Sequence, residues 1–115
     1  MNKQLYINLG NLDKDYDKMK YTITNAYKKK CNFVLNIETN NIKNISLYHL
    51  YDFGYFLRQL KNEKPYLIKT ILKIHNTYVY SLLEHFFLYI CNPIANVQIM
   101  MYESNELKYI KTFYP

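Results

Sequence analysis

Apolar and polar residues alternate strictly in "QLYINL", with Leu5, Ile7 and Leu9 opposing Gln4, Tyr6 and Asn8, and this period of two predicts a half-buried strand over 4–9. Gly10 and Asn11 turn the chain, and Asp13, Asp15 and Asp17 then supply the negative charge that a helix N-terminus favours. Tyr16, Met19, Ile23 and Ala26 or Tyr27 recur at helical spacing, and Lys28, Lys29 and Lys30 complement the other end of the dipole. Phe33 to Thr39 reads as a second strand, with Phe33, Leu35 and Ile37 on one side and Val34, Asn36 and Glu38 on the other. Beyond the Asn40-Asn41 turn, Leu47, Leu50, Phe53 or Gly54, Leu57 and Leu60 predict a helix that stops before Pro65. A third strand follows over 66–75, in which Ile68, Thr70, Leu72 and Ile74 oppose Leu67, Lys69, Ile71, Lys73 and His75. Val79, Leu82, Leu83, Phe86 and Ile90 form the stripe of a third helix that "CNP" terminates. "NVQIMMY" is a fourth strand, and "ELKYIKTFY" reads as a short edge strand or a closing helix, its Tyr, Ile and Thr content favouring the strand.

The resulting order, β-α-β-α-β-α-β-β, describes one α/β domain over 1–115 with a mixed, mostly parallel sheet of four to five strands. Parallel strands covered on both faces read as continuous apolar runs, whereas these alternate. The three helices are therefore expected mainly on one face. The other face should be more polar, carrying residues from among Gln4, Tyr6, Asn8, Asn36, Glu38, Lys69, Lys73, His75, Gln98 and Tyr102.

Composition narrows the class. Half of the 115 residues are hydrophobic and 21% are charged, a globular balance rather than a disordered one. The formal charge is +6, yet Arg58 is the only arginine, and lysine lacks the bidentate fork that specific phosphate or base recognition favours. No specific nucleic-acid partner is expected. The Asn, Lys, Ile and Tyr bias fits an AT-rich genome, which accounts for part of the basic charge. Cys31 and Cys91 match no metal-binding spacing and are expected to be reduced. "MNKQLYINLG" is too short and polar for a secretory apolar region, and no run approaches the roughly 18 apolar residues of a membrane span. A cytoplasmic location follows as the expectation.

Gly10 and Gly54 are the only glycines, so no glycine-rich loop can cradle a nucleotide phosphate. Ser46 and His49 lie three residues apart, but no G-x-S-x-G elbow accompanies them. His75, Glu84 and His85 lack the i, i+4 spacing of a ligand set. The chain is expected to be no enzyme, with no catalytic residue, metal or cofactor.

The joint "VLNIETNNIKNISLYHL" places a strand, a polar turn and a serine at the start of a helix. In element order and in this joint the chain resembles the STAS domain, the family of bacterial anti-sigma-factor antagonists and sulfate-transporter tails. Val34, Leu35, Asn36 and Ile37 stand for the family's central strand, Ile42 for the apolar turn residue, Asn44 for its Asp and Ser46 for its phosphorylatable Ser or Thr. Leu47 and Leu50 stand for the buried residues of the helix. The resemblance implies a regulatory domain that docks a protein partner through Asn44, Ser46, Leu47 and His49, as monomer or homodimer, and is switched by phosphorylation of Ser46. Ser46 has a second reading, as a helix cap worth about 1 kcal/mol. A phosphate there would meet the same free N–H groups while adding about two negative charges.

"PYLIKTILKIHNTYVYSLLEHFFLYICNP" resembles the CRAL-TRIO (Sec14-like) lipid-binding pattern, with Asn76 at the family's Asn position. That resemblance implies a carrier of lipid or another hydrophobic ligand, with an apolar pocket lined by Phe53, Phe56, Phe86 and Phe87. A third reading is a viral or parasite scaffold that kept the fold and lost the switch.

Overall fold

A computed structural model describes residues 3–9, 12–39, 47–61 and 66–115. The elements run β1 (Lys3–Asn8), α1 (Leu12–Lys28), β2 (Phe33–Glu38), α2 (Leu47–Lys61), β3 (Leu67–Ile74), α3 (Thr77–His85), β4 (Asn96–Glu103) and β5 (Glu106–Phe113). A π-helical turn, Phe86–Ile90, continues α3. The strands form one sheet in the order β1-β2-β3-β4-β5. The first four are parallel and β5 pairs antiparallel with β4, so the C-terminal segment is a strand as its composition predicts.

This sequential order has a geometric consequence. Right-handed crossovers that always step to the next position in the sheet deliver every helix to the same face. Burial follows that layout: Ile7, Leu35, Ile37, Ile74, Ile99 and Met101 are buried beneath the helices, while Gln4, Tyr6 and Asn8 on the opposite side of β1 are exposed. The core has two parts. Ile23 and Met19 of α1 and Leu57 of α2 pack on β1 and β2, whereas Leu50 of α2, with Val79, Leu83 and Phe86, packs on β3, β4 and Phe113 of β5. Helix α2 bridges the two, and burying Leu50 and Leu57 contributes about 1.5–3 kcal/mol each.

Local chemistry sets the element ends. The Asn76 Oδ1 accepts from the Val79 N–H at 2.8 Å, which caps α3. The π-turn closes with the Cys91 N–H donating to the Phe86 carbonyl at 3.0 Å. Ser104 and Asn105 join β4 to β5 with φ of 49° and 67°, the left-handed pair that a two-residue hairpin turn requires.

Two details differ from the periodicity. The pairing of β2 with β3 shifts register at Phe33/Val34, so Leu67 is buried and Ile68 is exposed, reversing the side expected for that pair. A bulge makes alternation fail locally, while Thr70, Leu72 and Ile74 keep their expected common side, with Thr70 opposite Leu35 and Leu72 opposite Ile37. On the helix-free face, Asn36 is 6% exposed, because its amide donates to the Gln4 Oε1 at 2.8 Å and to the Leu5 carbonyl at 3.3 Å. Elsewhere on that face Glu38 accepts from the Tyr102 hydroxyl at 2.8 Å and pairs with Lys73 at 3.6 Å, and the Tyr102 ring stacks on His75 at 4.7 Å.

Candidate functional site

Between α2 and the sheet lies a cavity of about 90 Å³. Its floor is Ile37, Thr70, Leu72, Ile74 and Val97, its roof Leu50, Phe53, Gly54 and Leu57, and its far wall Val79, Leu83, Phe86 and Phe87. Apart from Thr70 in the floor, these walls are aliphatic or aromatic and give water few of the partners that hold it in place. Space for apolar matter is thus what this region offers.

Gly54 lines the cavity from the inner surface of α2 without a side chain of its own. A Cβ there would stand 3.7 Å from Phe86 Cζ and 3.8 Å from Cys91 Sγ, ordinary contact distances. The π-turn carries Phe86 and Phe87 to the lining in succession, with ring centroids 5.3 Å apart and nearly perpendicular. Phe53 also lines the space, as expected of a carrier. Phe56 does not: it stacks on Phe53 at 6.2 Å and packs against the β1–β2 half of the core.

Polar groups gather at two parts of the rim. On one, Tyr16 of α1 donates its hydroxyl to the Asp52 carboxylate of α2, and the Lys20 Nζ approaches the same oxygen at 3.4 Å. Burial, then the bond to Asp52 and its charge, raise the Tyr16 pKa far above the ordinary phenol value. The bond from Tyr16, reinforced by Lys20, lowers that of Asp52 against a smaller opposing effect of burial. On the other part Arg58, exposed on α2, directs Nη2 to the Cys91 Sγ at 2.9 Å and to the Asn92 carbonyl at 3.3 Å. Arg58, Cys91 and Asn92 all line the cavity.

Of the residues expected to dock a partner, Asn44 and Ser46 lie outside the described residues, and Leu47 is the first residue of α2. His49 lines the cavity, half-buried, with its ring edge-on to Tyr16 at 5.8 Å and to Tyr48 at 5.9 Å. The outer face of α2 carries Tyr48, Tyr51 and Tyr55, all exposed. Asn76, placed by resemblance at a lipid-binding position, is the cap of α3 and does not line the cavity. Sequence reasoning passed over Tyr16, Asp52 and Arg58 at this rim; only the singularity of Arg58 among the basic residues marked it out.

Among the described residues no group of three His, Cys, Asp or Glu could hold a metal, and no helix is long and apolar enough to cross a membrane. Both cysteines are free. Comparisons with family models, with curated proteins and with solved structures return no match, which leaves the functional reading to the geometry.

Proposed function

We propose that this protein is a non-enzymatic binding domain that holds a small apolar ligand between α2 and its sheet. The observation that carries the reading is the apolar cavity beneath α2, walled by Phe53, Phe86, Phe87 and aliphatic side chains, with its charged groups at the rim. Concave apolar sites with a few convergent polar groups are where small molecules bind. The test is equilibrium unfolding with and without benzene. A ligand that binds only the folded state raises the midpoint with concentration. Val79→Phe, which puts a ring into the space, is expected to fold and to lose that response. A wild-type midpoint that ignores saturating benzene sinks the reading.

A second reading, a STAS-like protein-interaction domain, draws support from a different observation. Tyr48, Tyr51 and Tyr55 repeat at helical spacing and stand exposed on α2, and tyrosine is enriched where interfaces concentrate their binding energy. On this reading a protein partner docks along the outer face of the helix that Ser46 precedes, and a phosphate on Ser46 changes the charge at its start. Replacing Tyr48 and Tyr55 by Ser, and separately Ser46 by Glu, should each alter the yield of a partner cross-linked in the source cells. Unchanged yield from both variants would remove this reading.

A further inference from the structure

We propose that the ligand of the cavity is a small amphiphile bearing a carboxylate, an alkyl or aryl monocarboxylate, and that Arg58 at the rim is the group that binds its anionic end. The proposal rests on the apolar-ligand reading above and adds to it the chemical class and the polarity of the guest.

The two polar parts of the rim differ in charge. At the Tyr16 part the nearest ionised side chain is Asp52, whose carboxylate already takes the Tyr16 hydroxyl and faces Lys20. An anionic head there would meet a carboxylate, while an apolar tail would meet Leu9, Met19 and Leu50. At the Arg58 part the only charged side chain among the described lining residues is the guanidinium itself. Among the described residues its hydrogen bonds come from Nη2, to the Cys91 sulfur and the Asn92 carbonyl. Those two contacts fix the plane of the group. Among the described residues no carboxylate pairs with it, and the N–H groups of Nη1 and Nε remain for an incoming acceptor. A guanidinium presents these donors as a fork that matches the two oxygens of a carboxylate, and held in place it loses less freedom on binding than a lysine would. The cavity therefore has a tail end and a head end. Neutral apolar molecules satisfy only the first; amines would face the guanidinium unfavourably.

Titration calorimetry with hexanoate, 1-hexanol and hexylamine tests this on the wild type, Arg58→Gln, Arg58→Lys and Lys29→Gln. Lys29 lies exposed at the end of α1 and controls for general attraction of anions by a basic protein. Hexanoate should bind the wild type about tenfold more tightly than hexanol, and hexylamine more weakly than either. Arg58→Gln should bring hexanoate to the level of hexanol while leaving hexanol unchanged; Arg58→Lys should recover only part of the preference, and Lys29→Gln none of the loss. Hexanol binding without a preference for hexanoate, or a preference that survives Arg58→Gln, overturns the role of Arg58 and leaves the cavity reading standing. Failure of every ligand to bind overturns both.

Discussion

The hydroxyl of Tyr16 on α1 donates to the carboxylate of Asp52 on α2, 36 residues later in the chain, and so ties two neighbouring helices together at the cavity rim. Lys20 adds its ammonium to the same carboxylate and also lies over the Tyr16 ring at 4.7 Å. This is a link made by side chains across the helix layer, on top of the apolar packing beneath it.

Its contribution should depend on pH with a definite sign. The Asp52 pKa is lowered in the folded protein, chiefly by the bond from Tyr16, so the stabilisation is complete above the unfolded carboxylate value of about 3.9 and is lost as pH falls through the folded value. Tyr16 behaves oppositely. Its pKa is raised, so its stabilisation is complete below about pH 10 and is lost as the solution becomes more alkaline. Asp52→Asn should flatten the acid limb of a urea-stability profile, and Tyr16→Phe the alkaline limb. Each should cost about 1 kcal/mol at neutral pH, in the lower range for a bond to a charged group because Asp52 is partly exposed. A double-mutant cycle with no coupling between the two positions would refute the link.

Gly54→Ala should stabilise the protein. Alanine gains about 0.8–1 kcal/mol over glycine inside a helix, and the added Cβ would meet Phe86 and Cys91 at ordinary contact distances. Thermal unfolding should show a higher midpoint. A lower one would mean that the roof of the cavity has less freedom to accept a methyl group than its geometry indicates.

Asn76→Ala should cost about 1 kcal/mol, since Val79 would lose the acceptor for its N–H at the first turn of α3. Asn76→Asp should retain most of that stability. If instead Asn76 took part in ligand binding, both substitutions would change calorimetric affinity for the apolar guest, which the capping role does not allow.

Glu38→Gln, on the helix-free face, should cost under about 1 kcal/mol in chemical denaturation, because its partners Lys73 and Tyr102 are only partly buried and water can replace the carboxylate. It should also release the Tyr102 phenol, which the hydrogen bond to Glu38 holds above its ordinary pKa, so an ultraviolet titration of tyrosine should show one group ionising at lower pH. An unchanged titration curve would contradict the pairing.

Period-two alternation made β1 to β4 legible, because helices bury only one face of this sheet, although Val34 and Asn36 on the other face of the interior strand β2 are buried as well. β5, Glu106–Phe113, was recognisable instead from its Tyr, Ile and Thr content, since its burial does not alternate. The exchange of Leu67 and Ile68 was not, since a bulge depends on the partner strand's register rather than on the residues within β3. Nor was the π-turn: Phe86–Ile90 carries the same apolar spacing that an α-helix would. The cavity lay further out of reach. Empty volume is set by how far α2 stands from four strands and two neighbouring helical segments, and no one-dimensional pattern encodes that distance. Three of the four phenylalanines expected to line an apolar pocket do so, yet Tyr16, Asp52 and Arg58 meet around it only because α1, α2 and the segment before β4 come together in three dimensions.

With helices on one side of the sheet only, α2 has solvent directly above it and the cavity directly below. On the binding reading proposed above, a guest passes at the edge of this one helix and needs no tunnel through the protein. The rate at which a bound molecule is exchanged should then track the rate at which the backbone amides of residues 50–57 trade hydrogen for deuterium, and a molecule that fills the space should slow both together.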